Sequence, residues 1–469
     1  MTNISSRLFL GVLAIKVAAV IAVAILAGPK GFLWSGDAQE YIDLGRNLVS
    51  GNGFARTGDG EFIAAQDRTP FYPLVVGSAM TLTNFQSAWP VAFIQAVLAA
   101  FIAVLTYNIA LYFLSERWAL VPALIVSFEP LISSLHLLIF TETFLVFFVL
   151  LFMYFFLRFF EHNRQQDIVI ASAALAFAML TKPVAVYLAI IPFCFLLWHG
   201  VRINLKGLGI FIIVMIIFVS PWIARNVILF DSFAITTYGQ KATCGYQISA
   251  VFATAHRFSH TTPGIAMAEV RTHPRYQALE KSCFQSSVFS TLFGLFRAFP
   301  YAFVKANMLA TAGFFTNEGY TAFFDRPSTT LPPHHNYLTP AVFSGPAWND
   351  NLSRALRELS LFEGLVVLGG KLFWLLAVFF AGIGAMIAFR ASPLRSPAFF
   401  LTLVILYFAA ATVLAAGFGA GARYRYPVDA PLLIFATLGF VSWFSAAKYY
   451  FPVGSARGFR WLHKRGTQQ

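Results

Sequence analysis

Ten stretches of the chain are long and almost uninterruptedly apolar: 8–27, 89–114, 118–136, 138–157, 168–181, 184–198, 207–223, 363–389, 397–416 and 429–447. A helix needs about 20 mostly apolar residues to cross a bilayer. Most of these stretches meet that length; 168–181 and 184–198 are shorter, meet at Thr181-Lys182-Pro183, and read as partial spans. Hydrophobic residues are 58% of the chain and charged residues 11%. A soluble domain carries about 25% charge. A secreted enzyme, a cytosolic enzyme and a disordered scaffold are therefore excluded for the whole chain. The expected fold is an all-α polytopic membrane protein of about ten transmembrane helices, some short or partial, with amphipathic helices on one face.

Charge sets the expected orientation. With a cytoplasmic N-terminus, the inner segments hold thirteen Arg and Lys residues, from Arg7 to Arg465, against three acids, Glu116, Glu161 and Asp167. Short loops rich in Arg and Lys stay on the cytoplasmic side. Both termini are thus expected inside. The basic tail after Tyr450 reads as a lipid-headgroup anchor, so the net charge of +13 does not imply nucleic-acid binding. The first apolar stretch is longer than the 7–15 residues of a cleavable signal core and reads as a retained helix, with Lys16 snorkelling or packing inside the bundle.

Three regions follow. Residues 1–223 form an N-terminal transmembrane module with a first outer loop at 28–88; residues 224–362 form an outer-face region; residues 363–469 hold the last helices and the tail. Within the second region, 291–315 is apolar but broken by Arg297, Pro300, Lys305 and Asn307, which suits an interfacial amphipathic helix better than a span. Cys194 is expected as inert packing. Cys244 and Cys283 share the outer side and could form a disulfide there if it is oxidising. No HxH or HExxH spacing marks a metal site, and His334-His335 is a weak pair.

Charged groups at a membrane are costly and often functional, so the outer-face polar residues are the place to look. Asp37, Glu40, Tyr41 and Asp43 stand at the start of a stretch, 38–50, with helical spacing, and Asp37 is placed to cap it. Arg68-Thr69-Pro70-Phe71-Tyr72-Pro73 reads as a rigid interfacial turn. Glu142 sits at the outer end of an apolar helix, either as a second acid or as an interhelical hydrogen-bond partner. Lys182, Arg225 and Asn226, and Arg423 and Arg425 are further polar groups on the same side. Arginine forks suit phosphate oxygens, although interfacial snorkelling explains each cation equally well by itself.

The order Asp37–Tyr41–Asn47–Leu48–Gly51–Gly53–Phe54, then Arg68 to Pro73, Thr141-Glu142, Thr181-Lys182-Pro183, Pro221 to Asn226 and Arg423 to Pro427 resembles the bacterial GT-C glycosyltransferases. Within them it is similar to the dolichyl-phosphate-mannose protein mannosyltransferase-like branch, which includes the lipid A aminoarabinose transferases. The resemblance runs from Asp37 to Pro427; one departure is Arg-Thr-Pro where the family has Arg-Pro-Pro. It implies a GT-C-like fold, a polyprenyl-phosphate-linked sugar donor, and inverting transfer at the outer face of a bacterial inner membrane. It implies Asp37 as general base and Glu142 at the second acidic position, near the acceptor or a metal. Arg68, Lys182, Arg225, Arg423 and Arg425 become candidates for the donor phosphate, with Tyr41, Tyr72 and Asn226 as supports. The acceptor is a lipid, a glycan or a protein. No cofactor is assigned, and a divalent metal ion stays open because some relatives use one. The competing readings are an O-antigen ligase or polymerase type of enzyme, and a transporter or flippase of lipid-linked sugars.

Overall fold

The computed structural model describes residues 3–33, 36–198, 204–258, 270–320, 349, 353, 357, 359–391 and 395–444. His334, His335 and the tail after Tyr450 lie outside these residues. The fold is that of an all-α polytopic membrane protein. The chain forms two compact units.

The first unit comprises 1–236, 380–405 and 427–469. It opens with α1 (Asn3–Leu26), α2 (Gly36–Val49) and a hairpin, β1 (Ala55–Gly58) and β2 (Glu61–Ala64). Next come α3 (Phe71–Met80), α4 (Trp89–Ala110), α5 (Glu116–Phe128), α6 (Pro130–Leu135) and α7 (Glu142–His162). Then follow α8 (Gln165–Thr181), a 3₁₀ turn over Pro183–Ala189, α9 (Ile190–Trp198) and α10 (Asn204–Phe230).

The second unit comprises 237–379 and 406–426. It holds α11 (Tyr238–Ala242), a π-helical turn over Thr243–Gln247, and α12 (Ile248–Ala255). It continues with α13 (Pro274–Phe284), α14 (Val288–Ala298) and α15 (Pro300–Thr316). The last three helices, α16 (Leu361–Arg390), α17 (Arg395–Ala416) and α18 (Ala422–Phe444), each contribute to both units.

Among the described residues seven helices are long and apolar enough to cross a membrane: α1, α4, α7, α10, α16, α17 and α18. They coincide with seven of the ten apolar stretches. The other three are shorter. Stretch 118–136 is broken into α5 and α6 because Pro130 lacks the N–H that would continue a helix and instead starts a new one, with the Glu129 side chain accepting from Ile132 N–H at 2.7 Å. Stretches 168–181 and 184–198 meet at Lys182, whose extended backbone (φ −149°, ψ 132°) ends α8 just before Pro183.

No apolar or alternating pattern in the sequence predicts the hairpin. Its turn is Asp59-Gly60, with φ of 48° and 82°, the left-handed pair that a two-residue turn between twisted strands requires. The interfacial stretch 291–315 is two helices, since Pro300 restarts the chain as α15. On α14, Phe289, Phe293 and Phe296 are exposed while Leu295 is buried.

Buried charges find polar partners, as the cost of burial demands. Lys16 donates to Ser133 Oγ at 2.9 Å, and Lys371 to Glu318 Oε2 at 2.9 Å. Lys16 therefore packs inside the bundle rather than snorkelling. Cys244 and Cys283 form a disulfide within the second unit. Cys194, expected as packing, is exposed on the surface of α9.

Candidate functional site

The site is built around α2. Ala38, Tyr41, Ile42, Leu44 and Asn47 are its buried side, and that side lies on α3. The two helices touch backbone to backbone: a Cβ at Gly45 would fall on Pro73 O and the backbone of Gly77, and one at Gly77 would fall on the backbone of Gly45. Only a glycine at each position allows this approach. It fixes the height at which α2 presents its first turn, where Asp37 stands inside the helix rather than as its cap. A carboxylate is still favourable there, against the positive end of the helix.

From this platform four candidate residues converge. Arg68 Nη2 donates to Asp37 Oδ1 at 2.8 Å, and its Nε donates to Glu40 Oε2 at 2.8 Å. Arg68 Nη1 reaches the Tyr41 hydroxyl at 3.3 Å, with the guanidinium 5.2 Å from the Tyr41 ring centroid. Tyr41 in turn meets Tyr72 edge to face, centroids 5.1 Å apart. Burial works against the Arg68 charge, but Tyr41, Glu40 and Asp37 outweigh it and raise its pKa, so it is a permanent cation. Asp37 keeps 32% of its side chain exposed, which leaves it open to a ligand.

Two further residues of this cluster are absent from the sequence-derived set. Arg56, on β1, donates from Nε to Glu40 Oε1 at 3.0 Å and from Nη2 to Asp67 Oδ1 at 2.6 Å. The sequence signal for the hairpin that carries it is the Asp59-Gly60 turn, which folds β2 back on β1. Asp43 accepts from Thr57 N–H at 3.0 Å, and Asn47 Nδ2 donates to Ala55 O at 2.8 Å, pinning the hairpin to the helix. The second is Gln95, fully buried in α4. It accepts from the Tyr72 hydroxyl at 3.0 Å and donates to His136 O at 3.0 Å and Leu138 O at 2.8 Å. A lone glutamine in an apolar run was the only trace of it in the sequence.

Behind Tyr72 lies the second acid. Burial raises the Tyr72 hydroxyl well above its usual range, helped by Tyr41 and Glu142, so it stays protonated. Glu142, the first residue of α7, is fully buried and accepts from Lys182 Nζ at 2.8 Å. The pair ties α7 to the end of α8.

Arg225 and Asn226, on α10, occupy a different place. Arg225 Nη1 donates to Ala65 O at 2.8 Å and Nη2 to Phe54 O at 3.0 Å, while Asn226 Nδ2 donates to Ala234 O at 2.9 Å. Their polar groups clamp the hairpin base and the chain after α10. Next to them is an open groove of about 620 Å³, mostly apolar, lined among others by Leu48, Phe62, Pro70, Phe218, Trp222 and Arg225.

Arg423 and Arg425 belong to the second unit. Arg425 is fully buried; its Nη1 donates to the carbonyls of Phe314, Phe315 and Asn317, at 3.1, 3.1 and 2.8 Å, and its guanidinium stacks 3.5 Å from the Trp374 ring centroid. These bonds satisfy the open carbonyls at the end of α15 and make Arg425 a helix cap where the sequence suggested a phosphate ligand. Arg423 is half-buried beside the Tyr424 ring, 5.6 Å from its centroid. Among the described residues no three His, Cys, Asp or Glu side chains come together to hold a metal ion. Around Asp37 and Glu40 the space between carboxylates is filled by Arg56 and Arg68.

Residues 67–224 match the family model of dolichyl-phosphate-mannose-protein mannosyltransferase. A search of curated proteins finds no match. Among solved structures the chain is similar to ArnT from Cupriavidus metallidurans bound to undecaprenyl phosphate, with 16% identity, a TM-score of 0.42, and 92% of this chain and 77% of that one covered. It is also similar to the apo oligosaccharyltransferase of Archaeoglobus fulgidus, with 15% identity and a TM-score of 0.47; the match covers 92% of this chain and 50% of that one. Over residues 67–224, the resemblance read from the motifs is thus a sequence match to the dolichyl-phosphate-mannose-protein mannosyltransferase family.

Proposed function

We propose that the protein is a membrane glycosyltransferase that moves a sugar from a polyprenyl-phosphate donor to an acceptor hydroxyl at the outer face of a bacterial inner membrane. The observation that carries this reading is the meeting of Asp37, Arg68, Tyr41 and Tyr72 at the first turn of α2. Asp37 accepts the proton of the acceptor hydroxyl as the oxygen attacks the anomeric carbon from the side opposite the phosphate, which inverts the configuration. The departing phosphate needs cations, because stabilising the charge that develops on a leaving group is a large part of the barrier reduction. Arg68, a permanent cation, and Lys182, whose ammonium already reaches Glu142, supply them. The apolar groove suits an isoprenoid chain. It is lined by Pro70, two residues from Arg68, so a chain lying in it carries its phosphate towards the cluster.

The test uses protein reconstituted with polyprenyl-phosphate-linked sugars extracted from the source membranes. Release of free polyprenyl phosphate means transfer; movement of the intact lipid-linked sugar across the bilayer means flipping. Asp37→Asn keeps the size of the side chain and one acceptor oxygen for Arg68 but removes the charge and the base. General-base catalysis contributes about 10²–10⁴-fold, so release should fall by at least that range while binding of undecaprenyl phosphate is kept. Near-normal release by Asp37→Asn would end the assignment of Asp37.

A further inference from the structure

Glu40 lies three residues after Asp37, one turn along the same face of α2. It is the meeting point of two arginines from different elements. Arg68 approaches it with Nε and Nη2, and Arg56 approaches it with Nε and Nη2 from β1. Both arginines also reach a second carboxylate, Arg68 to Asp37 and Arg56 to Asp67. The order Asp37–Arg68–Glu40–Arg56–Asp67 is therefore an alternating chain of charges. Arg68 is shared: what it gives to Glu40 it withholds from Asp37.

Resting on the reading of Asp37 as the base, we propose that Glu40 is a positioning residue that draws Arg68 partly off Asp37 and so sets how readily Asp37 takes a proton, with Arg56 as the counterweight that limits the pull. An Asp37 paired fully to Arg68 would be a weak base, since a guanidinium alongside a carboxylate favours its charged form. Glu40 opposes this in two ways: it divides the guanidinium, and its own negative charge disfavours a second one nearby. Arg56 acts in the reverse sense, by neutralising Glu40. The titratable groups described beside this cluster include Tyr41 and Asp43 on α2, Asp67 from the turn beside Arg68, Tyr72 from α3, and, behind Tyr72, Glu142 with its partner Lys182. None of these is altered in the variants below.

The test is the acid limb of the pH–rate profile for polyprenyl-phosphate release by the reconstituted full-length protein. Glu40→Gln removes the competing charge and frees Arg68, so the limb should move to lower pH, by about one unit or more, and the plateau rate should fall as the base weakens. Arg56→Gln leaves Glu40 uncompensated, so the limb should move to higher pH. Opposite displacements are the expected result. A role confined to holding the hairpin would lower yield or rate in both variants with the limb in place, and that outcome, or displacement in the same direction, overturns the proposal. If Glu40→Gln does not fold, Arg56→Gln alone decides: an upward limb supports the proposal, and an unmoved or downward limb overturns it. Asp37→Asn run in parallel separates the two readings. With that variant inactive and the limbs unmoved, only the role of Glu40 falls; with it active, the base assignment falls and this inference with it.

Discussion

At the scale of single residues, several buried charges among the described residues are held in ion pairs and others by neutral partners, and the two arrangements differ in what breaking them would do. Glu142 and Lys182 have side chains only 1% and 12% exposed. Two ions taken out of water repay the loss only through each other, and removing one leaves the other uncompensated at a cost of about 3–5 kcal/mol. Lys182→Met should therefore destabilise the protein by about that much in detergent, read as a lowered denaturant midpoint. Glu142→Gln combined with Lys182→Met should recover much of the loss, because no lone charge is left. A double variant as unstable as Lys182→Met would show that the pair is not the interaction that matters. The same variants also bear on function: if Lys182 receives the donor phosphate, the double variant regains stability but not transfer. Arg425 makes the contrast plain. Its sequence context, Arg-Tyr-Arg-Tyr-Pro, suits a phosphate ligand, yet the fold sets its guanidinium against three carbonyls and an indole ring.

At the scale of elements, the position of Asp37 depends on how closely α2 approaches α3. Gly45 and Gly77 let the two backbones touch. Gly45→Ala puts a methyl group where Pro73 O and Gly77 already are. Overpacking of this kind costs about 1–3 kcal/mol, and the helices can relieve it only by separating. The expected outcome is a moderate loss of stability with a larger loss of transfer, since a displacement of about 1 Å in a catalytic group can cost about 10²-fold. Equal, small losses in both would mean that the contact is not transmitted to Asp37. These elements also show what could be read beforehand. Apolar length alone locates the seven long helices, because the bilayer imposes it, and helical spacing after Asp37 gives α2 to within two residues. The hairpin escaped because its strands are four residues each and one, Glu61–Ala64, is exposed throughout, so no burial pattern marks it. Arg56 escaped with it. Gln95 escaped because its bonds go to Tyr72 and to two main-chain carbonyls far along the chain, which no local pattern encodes.

At the scale of the whole molecule, the question is which side of the membrane the Asp37 cluster faces. The Arg and Lys residues at the junctions after α7 and α9 and between α16 and α17 argue for those junctions inside and for α2 and the hairpin outside. The second unit carries a signal of its own side. Cys244 and Cys283 are joined, and disulfides persist on the oxidising side of a membrane. Their separation is 39 residues; closing a loop of that size stabilises by about 4 kcal/mol in the chain-entropy model. Non-reducing peptide mapping should therefore recover the two cysteines as one linked pair, and Cys244→Ser should lower the unfolding midpoint by a margin that added reductant reproduces in the parent protein. Orientation is then read with a membrane-impermeant thiol reagent on intact spheroplasts, in a Cys194→Ser background because Cys194 is itself exposed. Asp59→Cys, at the hairpin turn, should label without lysis. Asn163→Cys, at the left-handed residue that ends α7, should label only after lysis. The reverse pattern would put the Asp37 cluster in the cytosol. The donor would then have to present its sugar on the inner leaflet, and transfer at the outer face would have to be abandoned whatever the chemistry of the carboxylate.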